Sequence, residues 1–127
     1  MATTVMVIEP DMLVRMAICE FLRECGYRVI EAVKADDLWA VLGAQVPLDL
    51  VFAEVHLSDE SEGFSLAQRV RQMHPNIDVI LASGIVDASE KSSDLCGRAP
   101  IRKPYHPQEL LDRIHELLER RRSGVLE

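Results

Sequence analysis

Leu48-Asp49-Leu50-Val51-Phe52-Ala53-Glu54 is a buried-type apolar run that ends in a lone carboxylate. Its length suits a strand, and its composition suits one covered on both faces, as in a parallel sheet with helical crossovers. The acid then marks where strand gives way to loop. Three further apolar runs share this design: Val5-Met6-Val7-Ile8 leads into Glu9, Ile77 to Ala82 into Ser83, and Pro100 to Arg102 into Lys103. They alternate with helix-like segments, so their carboxyl ends open on the one sheet edge where open α/β sheets bind ligands. Two acids, a hydroxyl and an ammonium are expected to converge there.

Working outward, Thr3 to Glu9 is β-branched and apolar on both faces, and Asp11 is placed to cap the helix that follows. In that helix Val14, Ala17, Ile18, Phe21, Leu22 and Cys25 recur at three- and four-residue steps, and Gly26 supplies a left-handed stop. Tyr27 to Ala32 reads as a second strand. Ala35 to Leu42 is a short helix on Leu38, Trp39, Val41 and Leu42, ended by Gly43. Phe64 to Met73 is helical on Leu66, Ala67, Val70 and Met73, and His74-Pro75-Asn76 stops it. From Gly84 to Ala99 the periodicity fails, so a weak or mobile fourth helix is expected. The last helix starts at Pro107 and repeats Leu110, Leu111, Ile114, Leu117 and Leu118, with Glu109 and Arg113 outward. The pattern implies a flavodoxin-like, doubly wound, five-stranded parallel sheet with five helices in a single α/β domain over residues 3–122. Residues 123–127 form a tail, closing on Leu126-Glu127 in the manner of a cloning scar.

At 127 residues, 48% hydrophobic and 28% charged, the chain has the composition of one folded domain. A net charge of −7 argues against binding a phosphate backbone. Arg120-Arg121-Arg122 is the only basic run, and it reads as a complement to the helix dipole in a solvated tail. No apolar run reaches the roughly 20 residues of a membrane helix, so a cytoplasmic location is the default. Cys19, Cys25 and Cys96 share no metal-type spacing, and Cys19 and Cys25 fall within one apolar pattern that points to core packing. His56, His74, His106 and His115 have no common spacing and read as surface or turn residues.

The segments VMVIEPDMLVR, DLVFAEVHL, VILASG and IRKPYHPQELL carry a resemblance in their order and spacing. From Val5 to about Arg120 the chain resembles the CheY-like receiver domain of bacterial response regulators. In that family an acidic pair after the first strand holds Mg²⁺, and an aspartate ending the third strand takes phosphate from a histidine kinase. The resemblance implies that Glu9 stands for the first acid of the pair and Glu54 for the phosphoacceptor. Ser83 then stands for the switch hydroxyl and Lys103 for the phosphate-binding lysine.

The departures from the pattern bear on function. Glu54 replaces the acceptor aspartate, and Pro10 stands where the second metal-binding acid belongs, with Asp11 beside it reading as a cap. Mg²⁺ demands tight octahedral oxygen geometry, so Glu9 and Glu54 are expected to hold it weakly or not at all. Pro100 occupies the position of the switch aromatic, for which Tyr105 is no equivalent. The loop His56 to Gly63 is one residue longer than the family pattern, with Asp59, Glu60 and Glu62 reading as solvated. Glu9 and Glu54 could face water as plain strand-end acids, but charges that end apolar strands need a partner, and a pocket shared with Lys103 is favoured. Ser83 before Gly84 serves equally well as turn chemistry.

The expectation is therefore an atypical single-domain response regulator. It is a pseudo-receiver without enzymatic activity or cofactor, in which Glu54 contacts Lys103 and Ser83 and imitates the phosphorylated state. Its partners would be a sensor histidine kinase, a phosphotransfer protein or another regulator, with the 84–122 face available for output or a homodimer. No effector domain is expected after the last helix. Two alternatives stay open: a receiver still phosphorylated on Glu54 or Asp59, and a small flavodoxin-like enzyme or nucleotide binder. Against the latter, no glycine-rich turn follows the first strand, where Glu9-Pro10-Asp11 would repel phosphate.

Overall fold

Strand and helix alternate along the chain in the computed structural model, which describes residues 3–57, 62–83, 101–102 and 105–123, the side chains of 62, 102, 122 and 123 excepted. The elements are β1 (Thr4–Ile8), α1 (Met12–Glu24), β2 (Arg28–Ala32), α2 (Ala35–Gly43), β3 (Leu50–Glu54), α3 (Glu62–Met73), β4 (Asp78–Ser83), β5 (Ile101–Arg102) and α4 (Pro107–Ser123). The strands form one parallel sheet in the order β2-β1-β3-β4-β5. This is the doubly wound α/β architecture read from the sequence. The helix expected between Gly84 and Ala99 lies outside the described residues.

Alternation along each strand sends its side chains into two cores. Met6, Ile8, Val51 and Ala53 face Leu38 of α2 and Leu66 and Val70 of α3. Val5, Val7, Leu50 and Phe52 face Ile18 and Leu22 of α1 and Leu110 and Ile114 of α4. β1 and β3 are buried at every position, as sheet centres covered on both sides must be. Each large aliphatic side chain so buried contributes roughly 1.5–3 kcal/mol. Just before β3, Asp49 Oδ2 accepts the N–H of Thr4 at 2.8 Å and ties the start of β1 to the entry of β3.

Local signals were met at some positions and displaced at others. Asp11 caps α1, its Oδ1 accepting from the N–H groups of Leu13 at 3.0 Å and Val14 at 3.2 Å. Gly26 takes a φ of 99° after α1, as a left-handed stop requires. Gly43 is instead the last residue of α2, and the positive φ of 61° falls on Gln45. The α1 core face is Ile18, Cys19 and Leu22, while Ala17 and Cys25 are exposed, so Cys25 is not a packing residue. Cys96 lies outside the described residues.

Two tertiary contacts had no sequence signal. Arg121 is not part of a solvated tail: its Nε meets Asp78 Oδ2 at 2.6 Å and clamps the end of α4 to the start of β4. Arg69 of α3 stacks over the Trp39 ring of α2 at 4.1 Å, a cation–π contact between neighbouring helices. α3 starts at Glu62, before the expected Phe64, and Gly63 comes so close to β3 that its N–H donates to the Val55 carbonyl at 2.7 Å.

Candidate functional site

Register brings the strand-end residues together. Ile8 of β1 pairs with Ala53 of β3, so Glu9 and Glu54 come next, side by side, at the carboxyl edge. Glu54 in turn pairs with Ala82 of β4, which places Ser83 one step beyond. All three are buried, with relative exposures of 6% for Glu9, 7% for Glu54 and 2% for Ser83, and none lacks a partner. Plain water-facing acids would not be so enclosed. The carboxyl edge thus brings together the three residues that end β1, β3 and β4.

Each acid is held by its own loop. Glu9 Oε2 accepts the N–H of Asp11 at 3.0 Å, and Glu54 Oε2 accepts the N–H of His56 at 2.9 Å. Arg15, one turn into α1, donates from Nη1 to the Glu9 carbonyl at 2.8 Å and points its Nε to Glu31 Oε1 at 3.5 Å. Asp11 spends its carboxylate on the α1 cap, and the exposed Pro10 ring offers no donor atom. Among the described residues no three His, Cys, Asp or Glu side chains are grouped to hold a metal ion. Two carboxylates already engaged by amides do not make the six-oxygen shell that Mg²⁺ prefers. Lys103, Pro100 and Asp59 lie outside the described residues, and with them the expected contact between Glu54 and Lys103.

Tyr105, read from the sequence as no equivalent of the switch aromatic, packs against β3 near this edge. Its ring meets Phe52 edge-on, with centroids 5.9 Å apart and planes at 82°. Burial, and then the charges of Glu9, Glu54 and Cys19, push its phenol above the usual range and keep it protonated. Its hydroxyl is buried without a hydrogen-bond partner among the described residues. His106, expected to be a bland turn residue, caps α4: its Nδ1 accepts the N–H of Gln108 at 3.0 Å. A ring nitrogen in the role usually taken by Asp or Ser leaves little signal in a sequence.

The model for the family described as response regulator receiver domain matches residues 5–115. Among curated proteins, the chain is 29% identical over 116 residues to the uncharacterized transcriptional regulatory protein YbdJ of Bacillus subtilis, covering 91% of this chain and 50% of that protein. It is 32% identical over 126 residues to the sensor kinase CckA of Brucella abortus, covering 94% of this chain and 13% of that protein. The chain therefore spans half or less of the length of these relatives. Among solved structures, a CheY-like receiver domain protein from Methanospirillum hungatei superposes with a TM-score of 0.86 at 22% identity, covering 98% of this chain and 99% of that one.

Proposed function

The chain belongs to the response regulator receiver domain family, a signalling module of two-component systems and not an enzyme, and on that premise we propose that it acts as a pseudo-receiver. It works by protein–protein binding without the usual phosphorylation cycle. The observation that carries this reading is Glu54, a buried glutamate at the acceptor position whose carboxylate is occupied by the His56 amide. Its charge of about −1, against the −1.5 to −2 of a phosphate, gives a partial and permanent imitation of the phosphorylated state. With Pro10 in place of an acid, Mg²⁺ binds weakly at most and supplies little charge neutralisation for phosphoryl transfer. Lys103 and Ser83 complete the pocket in this reading, and Pro100 leaves it without the family's aromatic reporter.

The partner is a sensor histidine kinase, a phosphotransfer protein or another regulator, met in the cytoplasm by the domain of residues 3–122. No helix among the described residues is long and apolar enough to cross a membrane. Beside the acid pocket, the first turns of α1 leave Met12, Leu13 and Met16 exposed at 58%, 75% and 53%, an apolar stripe suited to a protein partner. The net charge of −7 favours a partner with a basic rim over nucleic acid. The 84–122 face remains the proposed surface for output or homodimer formation.

Intact-mass measurement after incubation with acetyl phosphate and Mg²⁺ tests the reading. The expected result is an unchanged mass, and a stoichiometric phosphoryl adduct on Glu54 or Asp59 would overturn it.

A further inference from the structure

β2 is an outermost strand of the sheet, and among the described residues it pairs with β1 only. Its inward bonds come from alternate residues: the Arg28 N–H donates to the Thr3 carbonyl at 2.9 Å, and the Ala32 carbonyl accepts the Glu9 N–H at 3.0 Å. By the same alternation the N–H and C=O groups of Val29 and Glu31, and of Tyr27 and Val33 just past the strand ends, face away from the sheet. A row of this kind is a template for another strand.

The two flanking helices occupy that row. From α1, Arg23 Nη2 donates to the Val29 carbonyl at 3.2 Å, and the Leu22 carbonyl accepts the Tyr27 N–H at 3.1 Å. From α2, Asp37 Oδ2 accepts the Val33 N–H at 3.1 Å. Arg23 is itself anchored, because its Nη1 meets Glu31 Oε2 at 3.1 Å while Arg15 holds the other oxygen of that carboxylate.

The strand that fits this edge is a second copy of β2. Antiparallel pairing about Ile30 sets Val29 opposite Glu31 and Tyr27 opposite Val33, pairs in which both residues carry outward groups. It also sets Ile30 against its twin and lays Tyr27 on Val33, which is 48% exposed, and such apolar cross-strand pairs stabilise sheets. The occupied groups are among those the pairing needs: the Val29 carbonyl would accept the Glu31 N–H of the second copy, and the Val33 N–H would donate to its Tyr27 carbonyl.

We propose that Arg23 and Asp37 guard the β2 edge against strand addition by a second copy of this chain, and that freeing the edge creates a dimer through β2. This rim lies across the sheet from the 84–122 face, and the proposal is independent of the pseudo-receiver reading.

Sedimentation velocity and amide exchange on the full chain test this, under reducing conditions because Cys25 is exposed. Arg23→Ala with Asp37→Ala leaves the net charge unchanged, so a rise in association reports the edge and not relief of repulsion. The double variant should self-associate at least about tenfold more tightly than the wild type, the worth of one freed hydrogen bond. Exchange at its Val29 and Glu31 amides should slow as concentration rises. Arg23→Ala alone, which leaves the Asp37 cap on the Lys34 N–H of α2 in place, should give the same protection at higher concentration. Self-association no tighter than wild type in both variants, or tighter association with those two amides unprotected, overturns the proposal. Concentration-dependent protection of the same amides in the wild type overturns it as well, because the edge would then stand open.

Discussion

One methylene separates Glu54 from aspartate, and Pro10 carries no carboxylate where, in the proposed reading, metal binding needs a second acid. Glu54→Asp alone should restore little phosphorylation, because Pro10 still deprives the site of a carboxylate. Glu54→Asp with Pro10→Asp should bring back Mg²⁺-dependent labelling by acetyl phosphate, read by intact mass. Failure of the double variant would assign the block to the lengthened loop after β3 and not to the ligand set. At this scale the sequence was most informative where chemistry interrupts a hydrophobic pattern. Glu9, Glu54 and Ser83 each end an apolar run, and parallel pairing puts the ends of such runs together. Tyr105, His106 and Arg121 gave no such signal, because the roles of a phenol, an imidazole and a guanidinium are set by what the folded chain places next to them.

Elements meet through contacts that local propensity does not encode. A Cβ on Gly63 would lie 2.5 Å from the Glu54 carbonyl oxygen and 2.6 Å from Val55 Cα, so backbone would have to move. Gly63→Ala should cost about 1–3 kcal/mol in urea denaturation. It should also shift the His56 amide resonance, because the displaced segment is the one that holds Glu54. The clamp between α4 and β4 makes a second case. Arg121 and Asp78 are largely shielded, at 23% and 18% side-chain exposure, and Arg121 Nη2 is buried with no hydrogen-bond partner among the described residues. Arg121→Met and Asp78→Asn should each cost about 1–3 kcal/mol. Their double-mutant cycle should give a coupling of about 0.5–2 kcal/mol, and a coupling near zero would mean that the clamp does not stabilise the fold. Element type was readable throughout the described residues, but the ends were less so. α2 continues through Gly43 because Gln45 can take the positive φ, and the α1 stripe settles on Ile18, Cys19 and Leu22 because the sheet, not the helix, chooses the face.

For the whole molecule, burial of weak acids sets the alkaline limit. The Cys19 thiol is fully enclosed and is pushed up from 9.0 to about 11, by burial first and then by Glu31, against the opposing charges of Arg23 and Arg15. Tyr105 is raised too, by burial and then by Glu9, Glu54 and Cys19. Both groups prefer the neutral form when folded: the contribution of Cys19 is intact below its ordinary value of 9.0 and is lost as pH rises toward about 11, while that of Tyr105 is intact below 10.0 and is lost only at still higher pH. The urea midpoint should be flat with respect to these groups below 9.0 and fall above it. Cys19→Ala should lower the midpoint at neutral pH yet flatten the alkaline fall, and an unaltered fall would exclude the thiol as a cause. The fold itself was legible because the same two-sided burial that raises these groups writes apolar runs into β1, β3 and β4. The order β2-β1-β3-β4-β5 also bears on how the chain folds. β1 sits between β2 and β3, so both of its edges are filled by segments that follow it closely in the chain, while β5 joins last through two residues at the opposite rim. The growing polypeptide therefore emerges with the β2-β1 rim first and adds β3, β4 and β5 in turn toward the opposite rim. The rim that carries Tyr105 and the first turn of α4 is then the last part of the sheet to be completed.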